Sequence, residues 1–170
     1  MQKVPLPLAV VVMGVSGSGK SSVAALLAKR LGWKFAEADA FHSPANVQKM
    51  RGGIPLTDED RRPWLDAIAA WIDRSRAAGE HCVAACSALR RAYRERLAGG
   101  HDDVRFVYLR GDYDVIAQRL AGRSGHYMPV SLLASQFRTL EEPAADENAL
   151  VLSIEKPVEA LVEEIRVNLS

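Results

Sequence analysis

Eight residues constrain this chain more than any others. Gly14-Val15-Ser16-Gly17-Ser18-Gly19-Lys20-Ser21 fits the pattern G-x-x-x-x-G-K-[ST]. Glycines in such a loop allow backbone angles that turn successive amide N–H groups inward. Those donors, with the positive end of a following helix, cradle phosphate oxygens. Lys20 adds a full charge at the outer phosphates, and the Ser21 hydroxyl is placed to ligate Mg²⁺, with Ser22 next along the helix start. The pattern calls for a nucleoside triphosphate with Mg²⁺. It does not by itself separate a kinase from a hydrolase.

The flanking sequence suits that loop. Residues 4–13 are rich in Val and Leu with no polar alternation, as in a strand covered on both faces. Val23, Leu26, Leu27 and Leu31 then form a helical stripe that Gly32 ends. Beyond it the spacing predicts strands at 33–38, 81–87, 104–109 and 150–154. It predicts helices at 43–51, from a Thr57 cap through Leu65, Ile68, Trp71 and Ile72, through Leu89, Tyr93 and Leu97, and at 114–120 and 158–169. Residues 122–147 are of mixed pattern, with helical character near 130–140, and form a candidate lid. Alternation along the whole length implies one three-layer α/β domain, with a five-stranded parallel sheet and helices on both faces. Ligands of such folds bind beyond the carboxyl ends of the strands.

Composition excludes several other classes. The 170 residues carry 22 basic and 21 acidic side chains, for a net charge of +1. No global field draws such a chain to nucleic acid or anionic lipid. The longest apolar run, Leu6 to Met13 with Pro7 inside it, is too short to span a bilayer, and it reads as a buried strand rather than a signal peptide. If Cys82 and Cys86 share a strand, they stand roughly 13 Å apart, whereas a disulfide needs Cα atoms within roughly 7 Å. Two buried thiols in a reduced cytoplasm are the expectation.

The strand ends offer the remaining chemistry. Asp39 follows the second strand; it is either an ordinary turn residue or a carboxylate that accepts a proton from, or aligns, an attacking hydroxyl. Arg119 and Arg123 share a helix face leading into the lid segment. They are either a solvated basic face or guanidiniums that close over ATP and stabilise the transferring phosphoryl group. Arg61, Arg62, Arg90, Arg91 and Arg94 lie near strand ends, where an arginine fork would grip an anionic acceptor. Trp64 and Trp71 read as core or interface. His42 and His126 fall in candidate site segments, and His101 reads as a surface residue.

Several blocks beyond the loop carry a resemblance. DAFH (Asp39 to His42), KM (Lys49-Met50), PLTDEDRRPWL (Pro55 to Leu65), CSALRRAYRE (Cys86 to Glu95), GDYDVIAQRL (Gly111 to Leu120), GHYM (Gly125 to Met128) and SQFRTLEEP (Ser135 to Pro143) occur in order. Over about residues 9–143 the chain resembles the gluconokinase family. The resemblance implies a nucleoside-monophosphate-kinase-like fold with a lid, a homodimer, and transfer of the ATP γ-phosphoryl group to the 6-hydroxyl of gluconate with Mg²⁺. It places Asp39 at the acceptor site and Arg61 in the DRxPWL block. Ser87, Arg90 and Tyr93 follow the third strand; Arg119, Arg123 and His126 fall in the lid region, with Gln136 just after it. Ser43 before Pro44, Arg90, Tyr127 and Arg138 depart from the usual family residues. Other readings are a shikimate-type or nucleotide kinase on the same fold, and a nucleotide-binding protein without catalysis.

Overall fold

The computed structural model describes residues 7–122 and 131–169. Its centre is strand β1 (Ala9–Met13), in which every residue is buried. Val10 and Val12 point into one hydrophobic layer, and Ala9, Val11 and Met13 into the other. This explains the absence of polar alternation. Of the expected strand 4–13, residues 4–6 lie outside the described residues; Pro7 lacks an N–H, and pairing with the neighbouring strands begins at Ala9.

The phosphate-loop pattern follows β1 and leads into helix α1 (Lys20–Leu31). Strand β2 (Lys34–Glu37), a 3₁₀ turn (Ala38–Phe41), α2 (Pro44–Arg51) and α3 (Asp58–Ala77) come next. After them run β3 (Cys82–Ala85), α4 (Arg91–Ala98), β4 (Val104–Arg110), α5 (Tyr113–Ala121), α6 (Ser131–Thr139), β5 (Leu150–Ser153) and α7 (Val158–Leu169). The five strands form one parallel sheet in the order β2-β3-β1-β4-β5. Helices α1 and α7 cover one face, and α3 and α4 the other. Sheet order reverses at β1, so the crevice beyond its carboxyl end is where a ligand is expected.

Thr57 does cap α3. Its hydroxyl accepts from the Asp60 amide at 3.1 Å, while the Asp60 carboxylate accepts from the Thr57 amide at 3.0 Å, a reciprocal capping box. Lys49 donates to the same carboxylate at 3.0 Å, which ties α2 to the start of α3.

Two expectations need correction. The third strand ends at Ala85, before Ser87, because Ala88 takes a left-handed backbone angle (φ +44°) that breaks the extended run. Leu89 consequently belongs to the turn, and α4 starts at Arg91. The expected lid of 122–147 also shrinks. Within it, α6 buries Leu133 in the core and sets Leu132 against Met50 and Leu56, while the Glu141 amide donates to the Leu89 carbonyl at 2.7 Å. Residues 131–147 are thus packed onto the body.

Cys82 and Cys86 are free and buried, and burial pushes the Cys86 thiol up to about 12. Among the described residues no helix is long and apolar enough to cross a membrane.

Candidate active site

The phosphate loop owes its shape to glycine. Gly17 has φ +81°, and a Cβ there would lie 2.8 Å from the Leu120 side chain of α5. Any larger residue would collide with the helix that braces the loop. A Cβ on Gly14 would meet Ser18 Oγ at 2.7 Å, and the Gly14 amide donates to the Ser87 carbonyl at 3.3 Å. Lys20 opens α1, is 8% exposed, and curls back so that Nζ lies 3.5 Å from the Val15 carbonyl. Gly19 adopts a left-handed angle at the helix cap. Ser21 and Ser22 stand exposed on the first turn.

One cavity brings this loop together with the ends of β2 and β3. Ser16 and Lys20 line its phosphate side. Asp39, from the 3₁₀ turn after β2, lines it beside His42, Arg61, Trp64, Ser87 and Gln136. Met50, Leu56, Leu89 and Leu132 supply an apolar wall. The Gln136 side-chain carbonyl accepts from the Ser16 amide at 2.6 Å, so α6 is hydrogen-bonded directly to the phosphate loop.

Arg61 is aimed by a relay. Its Nη1 donates to the Tyr93 hydroxyl at 3.1 Å, and that hydroxyl donates to the Asp58 carboxylate. Burial, and then the Asp58 contact, push the Tyr93 phenol up; the same hydrogen bond holds Asp58 below its ordinary value. Tyr93 therefore stays a donor to Asp58 and an acceptor for Arg61. Replacing Tyr93 with Phe removes both bonds and leaves the ring. We expect the KM for the anionic acceptor to rise about five- to tenfold with kcat and the KM for ATP near wild type. Steady-state kinetics with each substrate varied checks this, and an unchanged acceptor KM would show that Tyr93 does not govern where Arg61 points.

Beyond the phosphate loop, three expected site residues among the described ones do not line the cavity. Arg90 is exposed, with Asp58 at 3.7 Å. Tyr93 stands behind Arg61. Arg119 donates to the Ile154 carbonyl at 2.9 Å, at the end of β5, next to the Leu120 that braces Gly17. Arg123 and His126 lie outside the described residues.

The turn that carries Ser87 is held from behind. The buried Arg94 donates from Nη1 to the carbonyl of the strained Ala88 at 2.9 Å, and from Nε to Glu147 at 2.6 Å. A left-handed alanine costs free energy, and it persists where its surroundings over-determine it.

The neighbours known by sequence and structure agree with this geometry. The AAA-domain family pattern matches residues 10–143. A gluconokinase of Gluconobacter oxydans is 50% identical over 159 residues, which is 94% of this chain and 89% of that protein. A crystal structure of a gluconokinase from Sinorhizobium meliloti matches with a TM-score of 0.86 at 44% identity, covering 98% of this chain and 93% of that one. The chain belongs to the gluconokinase family. An unliganded sugar kinase from a Janibacter species is also similar, with a TM-score of 0.90 at 50% identity and coverage of 96% and 94%.

In this gluconokinase-family chain, residue-level reading missed Glu37. It ends β2, and the 3₁₀ turn that follows carries Asp39 two residues on. Burial raises Glu37 above the usual carboxylate range, a hydrogen bond from Ser21 opposes that, and Asp39 adds to the rise. Its Oε1 is buried without a hydrogen-bond partner among the described residues, as is Ser18 Oγ. A buried carboxylate oxygen beside the loop serine, with a second carboxylate nearby, is an arrangement that a hard divalent cation relieves. The residues present therefore fit Mg²⁺, which takes one or two carboxylates along with substrate phosphates. Trp64 sits in the core as expected, and sequence alone did not show what stacks on it. Its face carries His42 at the cavity wall, with ring centroids 4.3 Å apart.

Proposed function

We propose that this chain transfers the γ-phosphoryl group of ATP to the 6-hydroxyl of D-gluconate, giving 6-phospho-D-gluconate and ADP. The observation that carries this reading is the single cavity where Lys20 and Ser16 face Asp39, with Arg61 on the same wall. A terminal phosphate, an alcohol and a carboxylate each find a matching group there.

The phosphate loop binds the triphosphate through its inward amides, and Lys20 offsets the negative charge of the outer phosphates. Arg61 grips the sugar-acid carboxylate through its fork and fixes which end of the substrate reaches Asp39. Asp39 aligns the 6-hydroxyl and receives its proton as the hydroxyl oxygen bonds to the γ-phosphorus and the bond to the β,γ-bridging oxygen breaks. Ser87 supplies a further hydroxyl contact to the acceptor. Ser21 and Glu37 would hold Mg²⁺, which when bound neutralises charge on the phosphate oxygens. Arg119 belongs to the nucleotide side, supported by its place beside Leu120 and Ile154. Arg123 and His126 are assigned to the closing segment over the transferring group and the acceptor, and Arg90 to the outer rim of the acceptor site.

The same reading includes a homodimer, supported by the family resemblance and by apolar residues exposed on the two edge strands, Phe35 at 40% and Val151 at 48%. It also includes a cytoplasmic location, supported by two unpaired thiols.

Incubation with ATP, Mg²⁺ and D-gluconate should yield 6-phosphogluconate by mass detection. Absence of that product, with ADP formed on another acceptor in a coupled assay, would replace the substrate assignment. ATP binding without transfer to any acceptor would remove the catalytic reading.

A further inference from the structure

Asn46 sits on α2 at 6% exposure, behind the cavity wall, and belongs to none of the roles assigned so far. Its side-chain amide contacts two groups. One is the backbone carbonyl oxygen of Asp60, 2.9 Å from Nδ2. The other is Nδ1 of His42, 3.4 Å from the same nitrogen. A carbonyl oxygen can only accept, so the atom that faces Asp60 has to be the amide nitrogen, and the orientation of the Asn46 side chain follows from its partner. The second N–H of that nitrogen then points at His42. Nδ1 must present a lone pair, and a neutral imidazole with a bare Nδ1 carries its proton on Nε2.

Two further features hold this state. The imidazole lies flat on Trp64, with 10° between the planes, and Trp64 is itself anchored by its indole N–H donating to the Ala38 carbonyl at 2.7 Å. The ring can neither flip nor tilt without breaking these contacts. Burial lowers His42 to about 4, with Arg61 acting in the same direction and Asp39 against it. The ring is therefore neutral at working pH. Since Nδ1 is taken by Asn46, Nε2–H is the polar ring group left for the cavity that His42 lines with Asp39 and Arg61. A bare Asp39 carboxylate only accepts. An acyclic polyol presents hydroxyl oxygens that also need donors, and a fixed N–H is a direct way to read one of them.

We propose that Asn46 is a positioning residue that locks His42 in its Nε2–H tautomer, and that His42 donates from Nε2 to a hydroxyl oxygen of the sugar-acid chain. This rests on the kinase reading above and deepens it. His42 becomes a contact that selects the acceptor's hydroxyl arrangement, and proton removal is left to Asp39.

Two measurements on the full chain test this. Long-range ¹H–¹⁵N correlation of the histidine rings near neutral pH, with His42 assigned from its loss in His42→Gln, should show Nε2 protonated and Nδ1 bare. A protonated Nδ1, or averaging between the two forms, overturns the proposal. In Asn46→Asp a carboxylate faces Nδ1 and demands a proton there, which strips Nε2 of its hydrogen near pH ~8. The KM for gluconate should then rise about tenfold, more than kcat falls, with the KM for ATP little changed.

Lowering the pH to about 6 should bring that KM back toward wild type, because an imidazolium donates from both nitrogens. Among the described residues the charged groups acting on His42 are Asp39 from the 3₁₀ turn and Arg61 from α3, present in both proteins, so the difference in pH profile isolates residue 46. His42→Gln, which keeps a side-chain N–H, should retain more gluconate affinity than His42→Phe, which keeps only the stack on Trp64. A KM in Asn46→Asp that does not recover at lower pH, or equal KM values in the two His42 variants, overturns the donor role. If Asn46→Asp fails to fold, the ring spectrum and the His42 pair still decide. A wild-type protein inactive on gluconate would sink the kinase reading and the donor role that rests on it, whereas the tautomer lock is read without substrate and stands or falls on the ring spectrum.

Discussion

Replacing Lys20 with alanine should cut phosphoryl transfer to gluconate by about a hundred- to a thousandfold, the scale on which a single preorganised charge acts on a developing anion. Lys20 is the first residue of α1, at a helix N-terminus whose amides already favour phosphate. Its ammonium is curled over the loop at the Val15 carbonyl, so little reorganisation is needed when phosphate arrives. That 3.5 Å contact is weak, which separates function from folding: the melting temperature of Lys20→Ala should move by only a few degrees while turnover collapses. A coupled ADP assay together with thermal unfolding checks both halves. Turnover near wild type would contradict the assignment of residues 14–21 to phosphate.

Asp39→Asn should lower kcat by about a hundred- to ten-thousandfold, the usual range for removing a positioned general base, with the affinity for ATP changed by less than about threefold. The amide keeps the shape and can still touch the hydroxyl, but it cannot take the proton. Asp39 also raises Glu37 through like charge, so neutralising it eases Glu37 toward its ordinary range and leaves the nucleotide side intact. Single-turnover transfer measured beside equilibrium binding of a non-hydrolysable ATP analogue separates the two effects. A variant that turns over normally would take Asp39 out of the mechanism, whereas one that loses ATP binding in parallel would move it to the nucleotide side.

Much of this architecture could be read from residue order. The loop pattern states its own chemistry because backbone amides, glycine angles and one lysine are local in sequence. The α/β alternation was legible because buried parallel strands and amphipathic helices have different periods, as in the unbroken Val10–Met13 run against the Val23, Leu27, Leu31 stripe. The Thr57 cap was legible for the same reason, since a capping box closes within one turn.

What escaped depends on where long side chains end. Arg61, Arg90 and Arg119 look equivalent in sequence, yet only Arg61 is turned into the cavity, by a tyrosine from another helix. Arg119 reaches a carbonyl that follows β5, and Arg90 stays in solvent. Strand ends were blurred where a single left-handed residue, Ala88, stops the pairing. Leu89 matched the helical stripe of α4 and still fell outside the helix. Asn46 carried no signal at all, because its partners are a backbone oxygen and a ring nitrogen that only the folded chain brings together.

The anchorage of the Ala88 carbonyl by Arg94 and Glu147 bears on the order in which the protein can mature on a ribosome. Strand β1 and its phosphate loop are made early, but the wall presenting Ser87 stays unbraced until the stretch containing Glu147 has emerged and docked. The nucleotide cradle waits longer still, because α1 packs on α7, the last helix to be made. Cleavage between residues 140 and 147 in the finished protein should loosen that wall first, since it parts the stretch carrying Glu147 from α6.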